Sequence, residues 1–200
     1  MVTVDAMRER ILSRGLSVAS AHGLHALSIG DLARELDLSR SGLFAHFATK
    51  ESLQLGVLEQ AAEMFVHEVI EPGRAAPVGE ARVRLLFTKW LAWSRSPRLK
   101  GGCPFVHASA ESQALPAQIR TRLKEILDHW SAVLAEAIEE TKAEGRFRPD
   151  LEADQLVFEL YGLYLSHHFW HWSMRDATAH ARTIKAFERL IAASGICCPE

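Results

Sequence analysis

Between residues 28 and 50 the sequence sets a small group of polar and basic side chains, Ser28, Ser39, Arg40, Ser41, His46 and Lys50, among regularly spaced apolar residues. Hydroxyls, a guanidinium, an imidazole and an ammonium are groups that hold phosphate oxygens and read base edges, so the chemistry on offer is recognition of DNA. Ile29, Leu32, Ala33 and Leu36 recur at helical spacing, and Leu43 and Phe47 do so after a tight Leu36-Asp37-Leu38-Ser39 connection. Two short helices joined this way make a helix-turn-helix, whose second helix enters the major groove. Arg40, Ser41, Ala45 and His46 are left facing outward, and Lys50 opens the next helix.

The elements that must position these groups follow from local signals. Ser28, with Asp31 three residues on, suits the start of a helix, Ser39 and Thr49 suit two more, Pro116 fits a first helical turn, and Gly23 suits a helix end. Proline and glycine cluster at Pro72-Gly73, Pro77 to Gly79, Pro97, Gly101 to Pro104, Gly145 and Pro149, with helical periodicity between them and no alternating run. The expected helices cover 5–22, 28–36, 40–47, 50–70, 78–95, 104–110, 116–143, 152–174 and 177–194. The fold class is all-α, with no internal repeat: a three-helix N-terminal helix-turn-helix domain over 1–50 and a helical regulatory and dimerisation domain over 51–200.

Other chemistries find little to stand on. No histidine has a glutamate three residues before it, so the paired Glu-x-x-His of a di-metal oxygenase is missing. There is no Gly-x-Ser-x-Gly elbow, no Gly-x-Gly-x-x-Gly turn and no phosphate loop, and an enzyme is not expected. His167 and His171 stand four apart beside His168, but no carboxylate or cysteine completes a metal set at fixed spacing, and neither metal nor cofactor is expected. Cys103 precedes a helix, where a thiol pKa can fall, although a small inert residue is the simpler reading. Adjacent Cys197 and Cys198 are expected to be an exposed terminal pair.

Composition sets the frame. The 200 residues are 48% hydrophobic and 24% charged with a net charge of −2, which is the range of folded chains and not of disordered ones or polycations. Residues 1–50 hold six basic against five acidic side chains, so DNA binding would rest on placement of few charges, with a modest salt dependence. Three cysteines, the lack of an apolar leader, and an uncharged run from Leu160 to Met174 that is short and holds three histidines point to a cytoplasmic chain without a membrane span.

The run from Ala26 to Ala33 (Ala-Leu-Ser-Ile-Gly-Asp-Leu-Ala), followed by Leu38-Ser39-Arg40-Ser41-Gly42-Leu43-Phe44-Ala45-His46-Phe47-Ala48-Thr49-Lys50-Glu51-Ser52-Leu53, resembles the DNA-binding signature of the TetR family of transcriptional regulators. The resemblance implies an all-helical homodimer on a palindromic operator in double-stranded DNA, with a larger C-terminal domain that dimerises and binds a small-molecule effector. It implies phosphate contacts or helix orientation by Ser28, Phe44, His46 and Lys50, and base contacts by Arg40, Ser41 and Ala45; Ser39, the expected cap of the recognition helix, is counted with these DNA-binding residues. Two positions depart from the pattern: Phe44 stands where tyrosine is usual, and Gly30 where a polar or basic residue is common.

Gly101-Gly102-Cys103-Pro104-Phe105, the segment Ala108 to Glu111 and Trp130 are similar to the C-terminal domain of one branch of these regulators. The pocket this implies would draw on Trp90, Trp93, Phe105, His107, Trp130, Phe158 and Tyr161, apolar walls suited to a mostly hydrophobic effector. The last two helices carry apolar residues on more than one face, so they need more than one partner. A four-helix interface between two protomers, using Leu156, Leu163, Ile184, Phe187 and Leu190, is the economical reading. The function expected is a repressor released from its operator by such an effector through a shift of population, with the helix from Lys50 to Ile70 as lever. A helical protein-interaction adaptor without operator binding is the alternative.

Overall fold

Helical spacing of apolar residues produces helices at nearly all the expected places. The computed structural model describes residues 4–196, and the Cys197-Cys198 pair lies outside the described residues. In chain order the helices are α1 (Val4–His22), α2 (Ile29–Glu35), α3 (Arg40–Phe44), α4 (Lys50–Phe65), α5 (Glu71–Ala75), α6 (Glu80–Trp93), α7 (Pro104–Ala110), α8 (Ala117–Ala143), α9 (Ala153–His168) and α10 (Ala179–Ser194). Among the described residues there is no strand, only an isolated bridge between Phe147 and Gly195.

The expected helix over 50–70 differs in one respect. Its α-helical part stops at Phe65, a π-turn covers Val66–Ile70, and α5 follows. Pro72 is the physical reason: it has no amide hydrogen for the Glu68 carbonyl four residues back, and the backbone register widens just before it. The backbone stays helical through this turn, so residues 50–70 are helical as expected, with a change of register after Phe65. The expected helix over 152–174 ends similarly, with a π-turn over Phe169–Ser173 after α9.

The chain divides into two compact units. The first holds residues up to Phe65 together with Arg95–Ile126, and so reaches beyond residue 50. Its interior is built from Ile11, Leu16, Leu24, Leu27, Leu32, Leu43, Phe47, Leu53 and Val57. Gly15 lets α1 lie close on α4, since a Cβ there would stand 2.6 Å from Val57 Cγ2. Arg122 on the opening part of α8 clamps Glu59 of α4, donating Nε and Nη2 to its two oxygens at 2.6 and 2.9 Å. This paired geometry raises the Arg122 pKa further above its ordinary value.

The second unit holds Val66–Ser94 and the chain from Leu127. Aromatic rings organise it. Phe87 of α6 stacks on Phe187 of α10 with centroids 4.3 Å apart, and Trp90 stacks on Tyr164 of α9 at 3.9 Å. Arg84 ties α6 to α10 through both oxygens of Glu188, each at 2.7 Å.

Candidate nucleic-acid interface

The helix-turn-helix is shaped by its caps. Ser28 Oγ accepts the Asp31 amide at 3.3 Å and starts α2, and Ser39 Oγ accepts the Gly42 amide at 3.0 Å and starts α3. Between them the chain reverses through Asp37 at φ 55. The Leu38 amide returns to the Ala33 carbonyl at 2.8 Å and the Asp37 amide to Arg34 at 3.4 Å, the hydrogen-bond pair that closes a helix through a left-handed residue. Thr49 and Ser52 then cap each other's amides, at 3.0 and 3.1 Å, so α4 begins with a reciprocal box.

These caps settle what α3 presents. Leu43 and Phe47 are buried, which leaves Ser39, Arg40, Ser41 and Ala45 exposed on the other side, with Phe44 47% exposed and His46 half-buried. The Ser39 and Ser41 hydroxyls are 3.0 Å apart. Gly30 has a reason in the structure: a Cβ there would come within 2.9 Å of Arg40 Nη2, so the small residue on α2 leaves room for the guanidinium of α3. The Arg8 guanidinium of α1 lies 4.6 Å from the centroid of the Phe47 ring.

Charge here is partly neutralised. Arg14 Nε donates to Glu35 at 2.5 Å, and this bond holds the Glu35 carboxyl below its ordinary range. Arg34 pairs with Asp31 at 3.0 Å. Lys50 is exposed, but its Nζ donates to the His25 carbonyl at 2.6 Å, so one of its three donors is already committed to the protein. The contacts that sequence reasoning missed, Lys50 to His25 and Arg40 over Gly30, join residues whose separation along the chain carries no periodic signal.

The residues expected around an effector fall in both units. Phe105 and His107 belong to the first, where Phe105 meets Phe65 edge-on at 5.7 Å and His107 Nε2 donates to the Gly101 carbonyl at 3.1 Å. In the second unit, Trp90 is edge-on to Trp130 at 5.1 Å and to Tyr161 at 4.8 Å, and Trp93 is buried nearby in sequence. Phe158 is 73% exposed and joins none of these rings. Cys103 is buried. His167 and His171 stack at 5.3 Å, and among the described residues no three His, Cys, Asp or Glu side chains are grouped to hold a metal ion.

The residues expected at a dimer interface differ in their burial within the protomer. Leu156 (0% exposed) and Phe187 (1%) are consumed inside their own unit, because the helix faces that carry them pack on α6 and on each other, while Leu163, Ile184 and Leu190 are half-buried. Among the positions that α9 and the π-turn after it leave exposed are Phe158, Gly162, Leu165 and Phe169, spaced four, three and four. The inward face, with Leu156, Leu160 and Leu163, has the same spacing, so the pattern marks two apolar faces without telling which is covered.

Comparison with known proteins agrees with this geometry. Residues 11–56 match the family described as bacterial regulatory proteins, tetR family, and residues 79–187 match the tetracyclin repressor-like C-terminal domain. The HTH-type transcriptional repressor DhaR of Mycobacterium sp. (strain GP1) is 24% identical over 167 residues, 80% of this chain and 81% of that one. The crystal structure of a TetR-family regulator from Cytophaga hutchinsonii superposes with a TM-score of 0.84 at 18% identity, covering 97% of both chains. The structure of AibR in complex with isovaleryl coenzyme A and operator DNA does so with a TM-score of 0.76 at 17% identity, covering 92% of this chain and 97% of that one. No helix among the described residues is long and apolar enough to cross a membrane. With its N-terminal and C-terminal segments both matched, the chain belongs to the TetR family and is a DNA-binding transcriptional regulator.

Proposed function

We propose that this regulator is a cytoplasmic, non-enzymatic repressor that binds a palindromic operator as a homodimer and leaves it when a small, mostly hydrophobic effector binds. The observation that carries the DNA reading is the exposed face of α3: Ser39, Arg40, Ser41 and Ala45 project from a helix whose other face is locked by Leu43 and Phe47. Arg40 and Ser41 are the base readers, and Ser28, Phe44, His46 and Lys50 serve the backbone or the orientation of the helix. An adaptor would have no use for this placement.

The homodimer is assigned to the outward seam of α9, Phe158, Leu165 and Phe169, in place of the buried Leu156 and Phe187. Large apolar side chains exposed in register on one helix are costly to leave in water and mark an interaction face. A two-fold homodimer on a palindromic operator requires two recognition helices about 34–36 Å apart or slightly more, one turn of DNA. The effector reading draws on the aromatic ring group of Trp90, Trp130 and Tyr161, and on AibR, whose solved complex holds both an acyl coenzyme A and operator DNA.

The test is selection of duplexes by the purified protein from a random pool, followed by anisotropy titration of the winner, a scrambled control and Arg40→Ala. Recovery of an inverted repeat, with discrimination lost by about tenfold or more in the variant, supports the reading. Enrichment of no sequence would sink it in favour of the adaptor.

A further inference from the structure

The 3₁₀ turn Leu24–Ala26, which links α1 to α2, is gripped from two sides. Glu111, the residue that closes α7, accepts the Leu24 amide at 2.5 Å and the His25 amide at 3.2 Å, and its other oxygen meets His25 Nδ1. The first amides of a short helical turn have no partner within it, so a carboxylate reaching across 87 residues supplies the cap. From the opposite side α4 holds the carbonyls: Gln54 Nε2 donates to Leu24 O at 2.8 Å and Lys50 Nζ to His25 O at 2.6 Å. Gly23 makes room for the carboxylate, since a Cβ there would stand 2.5 Å from Glu111 Oε2. All these residues lie in the first unit.

We propose that Glu111 is a positioning residue for operator binding, an inference that rests on the operator reading above. It fixes the Leu24–His25 peptide against α7 while Lys50 and Gln54 fix it against α4, and Ser28, where α2 starts, follows three residues later. The direction of α2, and with it the aim of α3, is thus set by a side chain that lies outside the helix-turn-helix, at the end of α7. Only 14% of the Glu111 side chain is exposed, so most of its water has been exchanged for these three donors. The signal is absent from local sequence, because a capping carboxylate usually stands within the turn it caps.

The test uses the full chain, its selected operator and a scrambled duplex, with Glu111→Ala, Glu111→Gln and His25→Ala. Glu111→Ala is expected to weaken operator binding by about 10- to 100-fold, as loss of charged hydrogen bonds implies, while affinity for the scrambled duplex changes by less than about threefold. Glu111→Gln keeps an oxygen for the two amides and is expected to recover most of the loss. His25→Ala keeps both amide bonds and is expected to stay within about threefold of the parent. Thermal melting of each variant confirms that it is folded at the assay temperature. Glu111→Ala matching the parent on the operator, losing both duplexes equally, or being no better rescued by glutamine would overturn the assignment. A parent protein that fails to discriminate the duplexes would remove the operator reading and this one together, whereas a discriminating parent with an unaffected variant removes only this one.

Discussion

All five tryptophans and both tyrosines lie in the second unit, and the first has phenylalanine as its only aromatic residue. Residues 1–65 and 95–126 carry 12 Lys and Arg against 10 Asp and Glu, while the remaining chain carries 11 against 15. The first unit is organised by small polar devices: the Ser28, Ser39 and Thr49 caps, the Asp37 reversal and the Glu111 clamp. The second is organised by large rings stacked in its interior. A surface that must fit a polyanion gains from precise backbone direction and from a balance that does not repel it. A helical body that must pack and pair gains more from apolar area.

The sharpest way to break that contrast is to put a charge among the rings. Phe187→Asp, against the stacked Phe87, is expected to cost more than about 4 kcal/mol and to unfold the second unit at modest denaturant. Tryptophan fluorescence reads this unit alone, and an unchanged midpoint would show that Phe187 is not structural. The variant therefore tests folding before it tests dimerisation, in contrast to what the sequence pattern suggested.

Next in size is Leu165→Glu on the outward seam of α9, where the side chain is 48% exposed. The protomer should keep its stability within about 0.5 kcal/mol, while the dimer weakens by about 100-fold or more. Sedimentation across a concentration series measures it. A variant that remains dimeric at low micromolar concentration would move the interface elsewhere.

How far the sequence carried differs between the two units in the same way. Helices were legible in both, because Ile29, Leu32 and Leu36 or Leu156 and Leu160 recur at a spacing that only a helix turns to one side. The exposed face of α3 was legible too, since the caps and the apolar residues lie within 20 positions of each other. The π-turn before Pro72 and the pairing of α9 with α6 were not. Leu156 and Phe158 are both apolar, and which of them faces inward depends on where α6 and α10 lie, something no local window contains. Contacts such as Glu111 to Leu24 are invisible for the same reason.

Lys50→Ala sharpens the polar side of the comparison. The ammonium gives one donor to His25 O and has two left on an exposed side chain, enough for a phosphate as well. Operator affinity should fall by about tenfold, and the slope of log affinity against log salt should shrink by about one. An affinity loss with the slope unchanged would mean that Lys50 acts through the His25 turn and touches no phosphate.

The smallest expected effect is Asp37→Gly. The residue sits at φ 55 between α2 and α3, a conformation that costs an L-residue about 1 kcal/mol and a glycine almost nothing. Glycine also frees the unfolded chain, so the net gain should be about 0.5 kcal/mol. Tryptophan fluorescence will not see it, since the first unit has no tryptophan. Hydrogen exchange of the Leu38 amide, which donates to Ala33 across this reversal, is the suitable probe, and slower exchange is the expected result. Faster exchange would mean that the Asp37 carboxylate contributes more to the turn than its backbone strain takes away, and the polar devices of the first unit would then include one more side chain.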